Sequence, residues 1–221
     1  MKIKFIHIVF IIFISLKISA VIFTNYINGL NISSVSSSDI SSNSYNFISK
    51  DSLYNYLKLS KLISDSLALK YIDLGEIESK ILEIPYVDEV LSFIDIESNF
   101  KLEIIEKKPI MDLKDYDFIL SNKGEIIPRI HDLNLSIKSC FGKVDSITFN
   151  DLAALGNHIS NDNFFINHIK YIYSDSTSFY FSVNDFDYNV KLGDLNRFEN
   201  KLKKYKGFYA AKVNTDFLQN Y

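Results

Sequence analysis

Residues 5–23, FIHIVFIIFISLKISAVIF, form an apolar run interrupted by one charge, Lys17. This run constrains everything after it. As a helix rising 1.5 Å per residue it spans about 28 Å, close to the hydrocarbon core of a bilayer. Lys17 sits about two turns from the far end, where its stem can carry the ammonium to the interface. Two readings fit: an uncleaved membrane anchor, or a signal peptide cleaved near Ser19 and Ala20. The expectation is the anchor, with residues 1–4 as a cytoplasmic tail and 5–23 as a transmembrane helix. Under either reading Lys2 and Lys4 stay cytoplasmic and the rest is exported. No second run of spanning length follows.

The remainder is ordinary enough to fold and plain enough to exclude several chemistries. Hydrophobic residues make up 47% of the chain and net charge is −3. It can therefore bury a core, and it lacks the basic stripe that nucleic acid requires. The single cysteine, Cys140, permits no intramolecular disulfide and no cysteine metal site.

Residues 31–49 are rich in Ser and Asn. They read as a flexible linker, or as a short first strand marked by Ile32, Val35 and Ile40. A helix follows, capped by Ser49 or Asp51, with Leu53, Tyr56, Leu57 and Leu59 as its apolar face. A second begins with Asp73 and Glu76 as a capping box, carries Ile77, Ile81, Leu82 and Ile84, and stops at Pro85. Strands are expected over 87–96 and 100–106, joined by an ESN turn. Next come IMDLKD and a hairpin, DFIL-SNKG-EII, whose Gly124 supplies positive φ. FGKV reads as a loop into another strand, and NDLAALGNHIS as a short helix capped by Asn150 or Asp151. FINHIKYIYS, SFYFSVN and YNVKLGD read as strands. Asp194 is expected to cap a last helix striped by Leu195, Phe198, Leu202, Tyr205 and Phe208.

Catalytic patterns are missing. The histidines at 7, 131, 158 and 168 do not cluster, and neither HExxH, GxSxG nor a glycine-rich phosphate loop occurs. Asp185 and Asp187, in NDFDY, read as a solvated turn. The expectation is no enzyme, no cofactor and no metal.

The strand–helix–helix–strand–strand order followed by IIEKKPI resembles the FtsQ/DivIB family of bacterial cell-division proteins, in its Bacteroidetes-like branch. Glu106, Lys107, Lys108 and Pro109 match the end of the family's POTRA domain. FILSNKGEIIP, with Gly124 and Pro128, is similar to the hairpin opening its β domain. IPYVDEVLSF resembles the step into the second POTRA strand. The closing block, with Leu192, Gly193 and Asp194 before a long helix, resembles the family's LGD and amphipathic helix. Pro109, without an N–H, can end a ladder where one domain hands over to the next, and Pro128 can stop an edge strand.

The resemblance implies an α+β chain: an N-terminal transmembrane helix, a POTRA domain over 30–108 and a strand-rich β domain over 109–221 with a long C-terminal helix. It also implies a single-pass inner-membrane scaffold at the septum, its bulk periplasmic. Such a scaffold would be linked to the small bitopic coiled-coil proteins FtsB and FtsL, with no nucleic acid and no small-molecule substrate. Partner docking in the family occurs by strand addition at the last strand. Here the expected contact residues are Phe208, Tyr209, Phe217, Leu218 and Tyr221. Two departures stand out. IKSCFGKV, with Gly142, matches the family's LPxLxG only in part, and AKVNTDFLQNY shows no clear equivalent of the final strand. That strand is degenerate, poorly supplied by this segment, or absent through truncation. The rival reading is an exported POTRA-type binding protein or outer-membrane assembly chaperone.

Overall fold

Alternation of period two in FKLEIIE organises the first half of the fold. A computed structural model describes residues 12, 14–22, 40–42, 45–63, 71–97, 99–131, 133–175 and 177–212. It divides into two units, Met1–Glu106 and Lys107–Tyr221, and is mixed α+β throughout.

In the first unit the elements run β1 (Ile40–Ser42), α1 (Lys50–Leu59), α2 (Leu74–Leu82), β2 (Val87–Ile94) and β3 (Phe100–Glu106). They form a three-stranded sheet of order β1-β3-β2, with β1 parallel and β2 antiparallel to β3. Phe100, Leu102, Ile104 and Glu106 are buried, while Glu103 and Ile105 face solvent. Ser49 caps α1 by accepting from Ser52 N–H, and Asp73 caps α2 by accepting from Glu76 N–H at 3.0 Å. Leu53 and Leu57 of α1 and Ile77 and Ile81 of α2 meet the sheet in one core. Leu59 and Leu82, expected on apolar faces, are exposed: each lies off the arc that the buried pair of its helix defines. Asp95 closes the β2–β3 turn by accepting from Glu97 and Asn99 N–H, and β2 ends at Ile94 rather than Ile96.

The second unit runs β4 (Pro109–Leu113), β5 (Phe118–Ser121), β6 (Ile126–Pro128), β7 (Lys138–Lys143), α3 (Phe149–Asn161), α4 (Asn163–His168), β8 (Ile169–Asp175), β9 (Phe179–Val183), β10 (Asn189–Gly193) and α5 (Phe198–Lys212). Its seven-stranded sheet has the order β10-β9-β8-β7-β4-β5-β6. β7 pairs parallel with both β4 and β8, and the remaining neighbours are antiparallel. Leu152, Leu155 and Ile159 of α3 and Leu202 of α5 share a core with the inward residues of β4, β8 and β9.

The structure departs from the sequence expectations at three places. FINHIKYIYS is not one strand. Asp162 accepts from the N–H groups of Phe164 and Phe165 and nucleates α4, so β8 starts only at Ile169. FGKV is not a loop, because Phe141–Lys143 completes β7. Neither Asn150 nor Asp151 caps α3; a 3₁₀ turn over Ser146–Thr148, capped by Asp145, leads into it. Pro109 begins β4 opposite Ser121, and Pro128 ends the edge strand β6, so both prolines sit where a missing N–H is tolerated.

The transmembrane expectation falls largely outside the described residues. Of residues 5–23, residue 12 and residues 14–22 are described and are helical. Among the described residues no helix is long and apolar enough to cross a membrane.

Candidate partner-binding edge

β10 is an edge strand: β9 lies on one flank, and no described strand lies on the other. An edge presents a row of unpaired backbone donors and acceptors, which a strand of another chain can complete. Leu192 is buried and Val190 half-buried, while Asn189 and Lys191 are exposed, so the strand keeps one anchored and one solvated face. Lys191 reaches over the Tyr180 ring at 5.6 Å, and Tyr180 stacks on Tyr173 at 4.7 Å. A bulge separates Lys191 from Gly193. Gly193 has φ +74°, so the strand ends in a left-handed step.

The LGD segment joins this edge to the helix. The Asp194 carboxylate accepts from Lys201 Nζ at 2.6 Å and from Asn196 Nδ2 at 3.1 Å. Lys201 holds its pKa below the usual carboxylate range. Asp194 therefore fastens the β10–α5 loop through a side chain one turn into the helix. It does not cap α5, which starts at Phe198, after Arg197 at φ +52°.

Helix α5 binds the unit through Phe198, Leu202 and Tyr205. The expected stripe breaks at Phe208, which is 41% exposed. Tyr209 takes the inward position instead, four residues after Tyr205, as a 3.6-residue period requires. Its ring lies 4.4 Å from that of His168 and 5.4 Å from that of Phe164. Of the expected contact residues, then, Phe208 faces outward and Tyr209 packs inward. Phe217, Leu218 and Tyr221 lie outside the described residues. Lys206 adds a second clamp, donating to Asp162 at 2.8 Å.

Beneath the helix runs a polar chain that sequence reading missed. His168 Nε2 lies 2.6 Å from the Tyr205 hydroxyl, which lies 2.7 Å from the Tyr188 hydroxyl. His168 Nδ1 is 3.8 Å from Asp185, at the exposed turn before β10. Burial pushes His168 below the ordinary histidine range, against the pull of Asp185. Tyr205 is driven well above the ordinary phenol range by burial and by Tyr188. The carboxylate–histidine–phenol order superficially matches a proton relay. But His168 is 4% exposed and sandwiched by Phe164 and Tyr209, so its ring offers a substrate no approach. Its role is to hold α5 and the β9–β10 turn on α4.

That arrangement has a pH signature. The folded protein holds His168 neutral more strongly than the unfolded chain, whose histidine titrates near 6.5. The unfolded state thus binds more protons below that pH, and this contribution to stability is present above about pH 6.5 and lost as pH falls toward the lower folded value. Thermal unfolding followed from pH 7.5 to 5 should show a falling Tm that flattens in His168→Gln. An unchanged slope in the variant would assign the acid sensitivity to another group.

The other expected motif residues have structural posts. Gly124, at φ +81° between β5 and β6, lies so close to α3 that a Cβ would meet Asn150 Oδ1 at 2.3 Å. Glu106 is buried and accepts backbone N–H from Tyr45 at 3.1 Å and Ile48 at 2.9 Å. The opening hairpin also contains a pair absent from the sequence reading: Arg129 lies 2.6 Å from Asp112 and donates to the carbonyls of Leu113 and Tyr116. Burial raises the Asp112 carboxyl, but Arg129 and Lys114 outweigh it and hold the group below its usual range. His158 sits against the rings of Phe165 and Phe198. Among the described residues no group of histidine, cysteine and acidic side chains could hold a metal. Cys140 is buried, which pushes its thiol up to about 12.

Comparison with known proteins gives three results. A family model described as FtsQ/DivIB, C-terminal related, matches residues 108–221. No curated protein matches. Among solved structures, the chain is similar to the major extracytoplasmic domain of the trans isomer of the bacterial cell division protein DivIB from Geobacillus stearothermophilus. The identity is 17% and the TM-score 0.36, covering 50% of this chain and 98% of that one.

Proposed function

The chain belongs to the FtsQ/DivIB, C-terminal related family, whose model covers half of it, and from that premise we propose that it is a non-enzymatic scaffold of the cell-division machinery. In this reading residues 5–23 anchor it in the inner membrane with the N-terminus cytoplasmic, and both folded units act outside the cytoplasm at the septum. Residues 30–108 form a POTRA domain that serves recruitment. The β1-α1-α2-β2-β3 order of the described part supports that assignment. Residues 109–221 form the β domain that holds the complex.

The partners are small bitopic coiled-coil division proteins of the FtsB and FtsL kind. One observation carries the docking mode: β10 is an edge strand of a seven-stranded sheet, with no described strand on its outer flank. A partner segment adds there as a further strand, held by backbone hydrogen bonds and flanked by the outward side of α5, including Phe208. Residues 213–221, with Phe217, Leu218 and Tyr221, follow α5 and belong to the same proposed contact.

The test is affinity purification of the full-length protein from its own cells in mild detergent, with co-purified proteins identified by mass spectrometry. Short single-pass coiled-coil division proteins are expected. Outer-membrane assembly factors in their place would favour the chaperone reading and overturn this one.

A further inference from the structure

The start of β7 places a charge on the core side of the sheet. Lys138 shares the parity of Cys140, which is buried in the core of the second unit, so alternation turns it inward. Its ammonium donates to the carbonyl of Ile169 at 2.5 Å. Among the described residues that carbonyl is its one hydrogen-bond partner, and no carboxylate reaches it. Burial alone, with no opposing acid, holds Lys138 below the ordinary lysine range. Two of its three N–H donors are therefore left for another acceptor.

Lys138 lines a solvent-open cleft of about 340 Å³. Ile110, Ile137 and Ile166 give it apolar walls, and Ser136 adds a hydroxyl. The volume lies at the small end of the range for ligand sites, about 300–1,000 Å³. Two other lining groups each donate one hydrogen bond elsewhere: Ser160 to the carbonyl of Asn157 and Asn167 to that of Asn163. Both stand in the last turns of α3 and α4, whose negative ends disfavour any anion, so the attraction for one must come from Lys138. One cation, one free hydroxyl and a short apolar lining suit a single negative charge on a small hydrocarbon body.

We propose that this cleft binds a carboxylate on a short aliphatic body, with the carboxylate at Lys138 and Ser136 and the body against Ile110, Ile137 and Ile166. The carboxylate comes either from a free small acid or from an acidic side chain of a peptide. The site is independent of the β10 edge and does not rest on the division role.

The test is saturation-transfer NMR on full-length protein in mild detergent, titrated with butanoate, with capped glutamate (N-acetyl, N′-methylamide) and with neutral butanamide. Butanoate or capped glutamate should bind saturably with Kd about 1 mM or tighter, at least about tenfold tighter than butanamide. Lys138→Met should weaken binding about tenfold or more, and Lys138→Arg should retain it. Whichever acid binds more tightly identifies the source. Equal binding of butanoate and butanamide, unchanged binding in Lys138→Met, or no saturable binding of either acid would overturn the proposal. The comparison of acid with amide uses only the native protein, so it stands even if the methionine variant misfolds.

Discussion

Gly142→Ala is expected to destabilise the second unit by about 4 kcal/mol, a large share of the roughly 5–15 kcal/mol of an ordinary domain. Gly142 lies inside β7 at φ +88°, a backbone conformation that costs an L-residue roughly 1–2 kcal/mol. The larger part is steric. A Cβ there would sit 2.0 Å from the carbonyl oxygen of Ser174, its partner across the parallel β7–β8 ladder. Backbone cannot swing away as a flexible side chain does, so the two strands must part. The neighbourhood is also pinned from the opposite side. The Asp115 carboxylate accepts the Gly142 N–H, and the Tyr116 hydroxyl both donates to and accepts from the backbone of Val144. Gly193→Ala supplies the control. Its φ is +74°, but a Cβ would meet nothing within 4 Å, so only the conformational part applies and about 1 kcal/mol is expected. Urea unfolding of both variants measures the contrast. Equal losses would mean that backbone strain, not the β7–β8 contact, governs both sites.

Glu106→Ala is expected to cost the first unit about 3 kcal/mol. Glu106 is 1% exposed and stands on the inward face of β3, in line with Phe100, Leu102 and Ile104. Its two oxygens receive the N–H groups of Tyr45 and Ile48, which lead into α1. Truncation leaves those donors without an acceptor in a partly buried place and opens a cavity beneath them. For a unit of this size such a loss lowers Tm by roughly 15 °C. Hydrogen exchange read by mass spectrometry should show residues 45–57 losing protection while β7 and β8 keep theirs. Uniform loss across both units, or none, would contradict the assignment of Glu106 as an acceptor local to the first unit.

Much of this fold was legible from patterns that act over a few residues. FKLEIIE alternates cleanly, and β3 occupies those seven positions. Asp73 with Glu76 three later marked the start of α2. Gly124 in SNKG marked a positive-φ turn. The misreadings arose where two local signals compete. FINHIKYIYS is apolar enough for a strand, but Asp162 just before it is a stronger helix start. Phe208 and Tyr209 are both aromatic, and only the phase fixed by Leu202 and Tyr205 selects Tyr209 for the core. Other features have no local signature. The parallel pairings β1–β3, β4–β7 and β7–β8 join segments far apart in sequence. The contact Lys138–Ile169 depends on the β7–β8 pairing, and His168–Tyr205 and Arg129–Asp112 join segments that no local pattern links. Glu106 was identified as a motif residue, yet its acceptor role follows only from its inward register and from a segment some sixty residues earlier.

Strand addition of a division partner at β10 is tested most directly by site-specific cross-linking in living cells. A photoreactive residue is placed at Lys191 on β10 and, separately, at Ile126 on β6, the opposite edge of the same sheet; both positions are exposed. A covalent adduct to a short single-pass division protein is expected from position 191 and none from position 126. Adducts from 126 alone, from both edges equally, or from neither would contradict strand addition at β10.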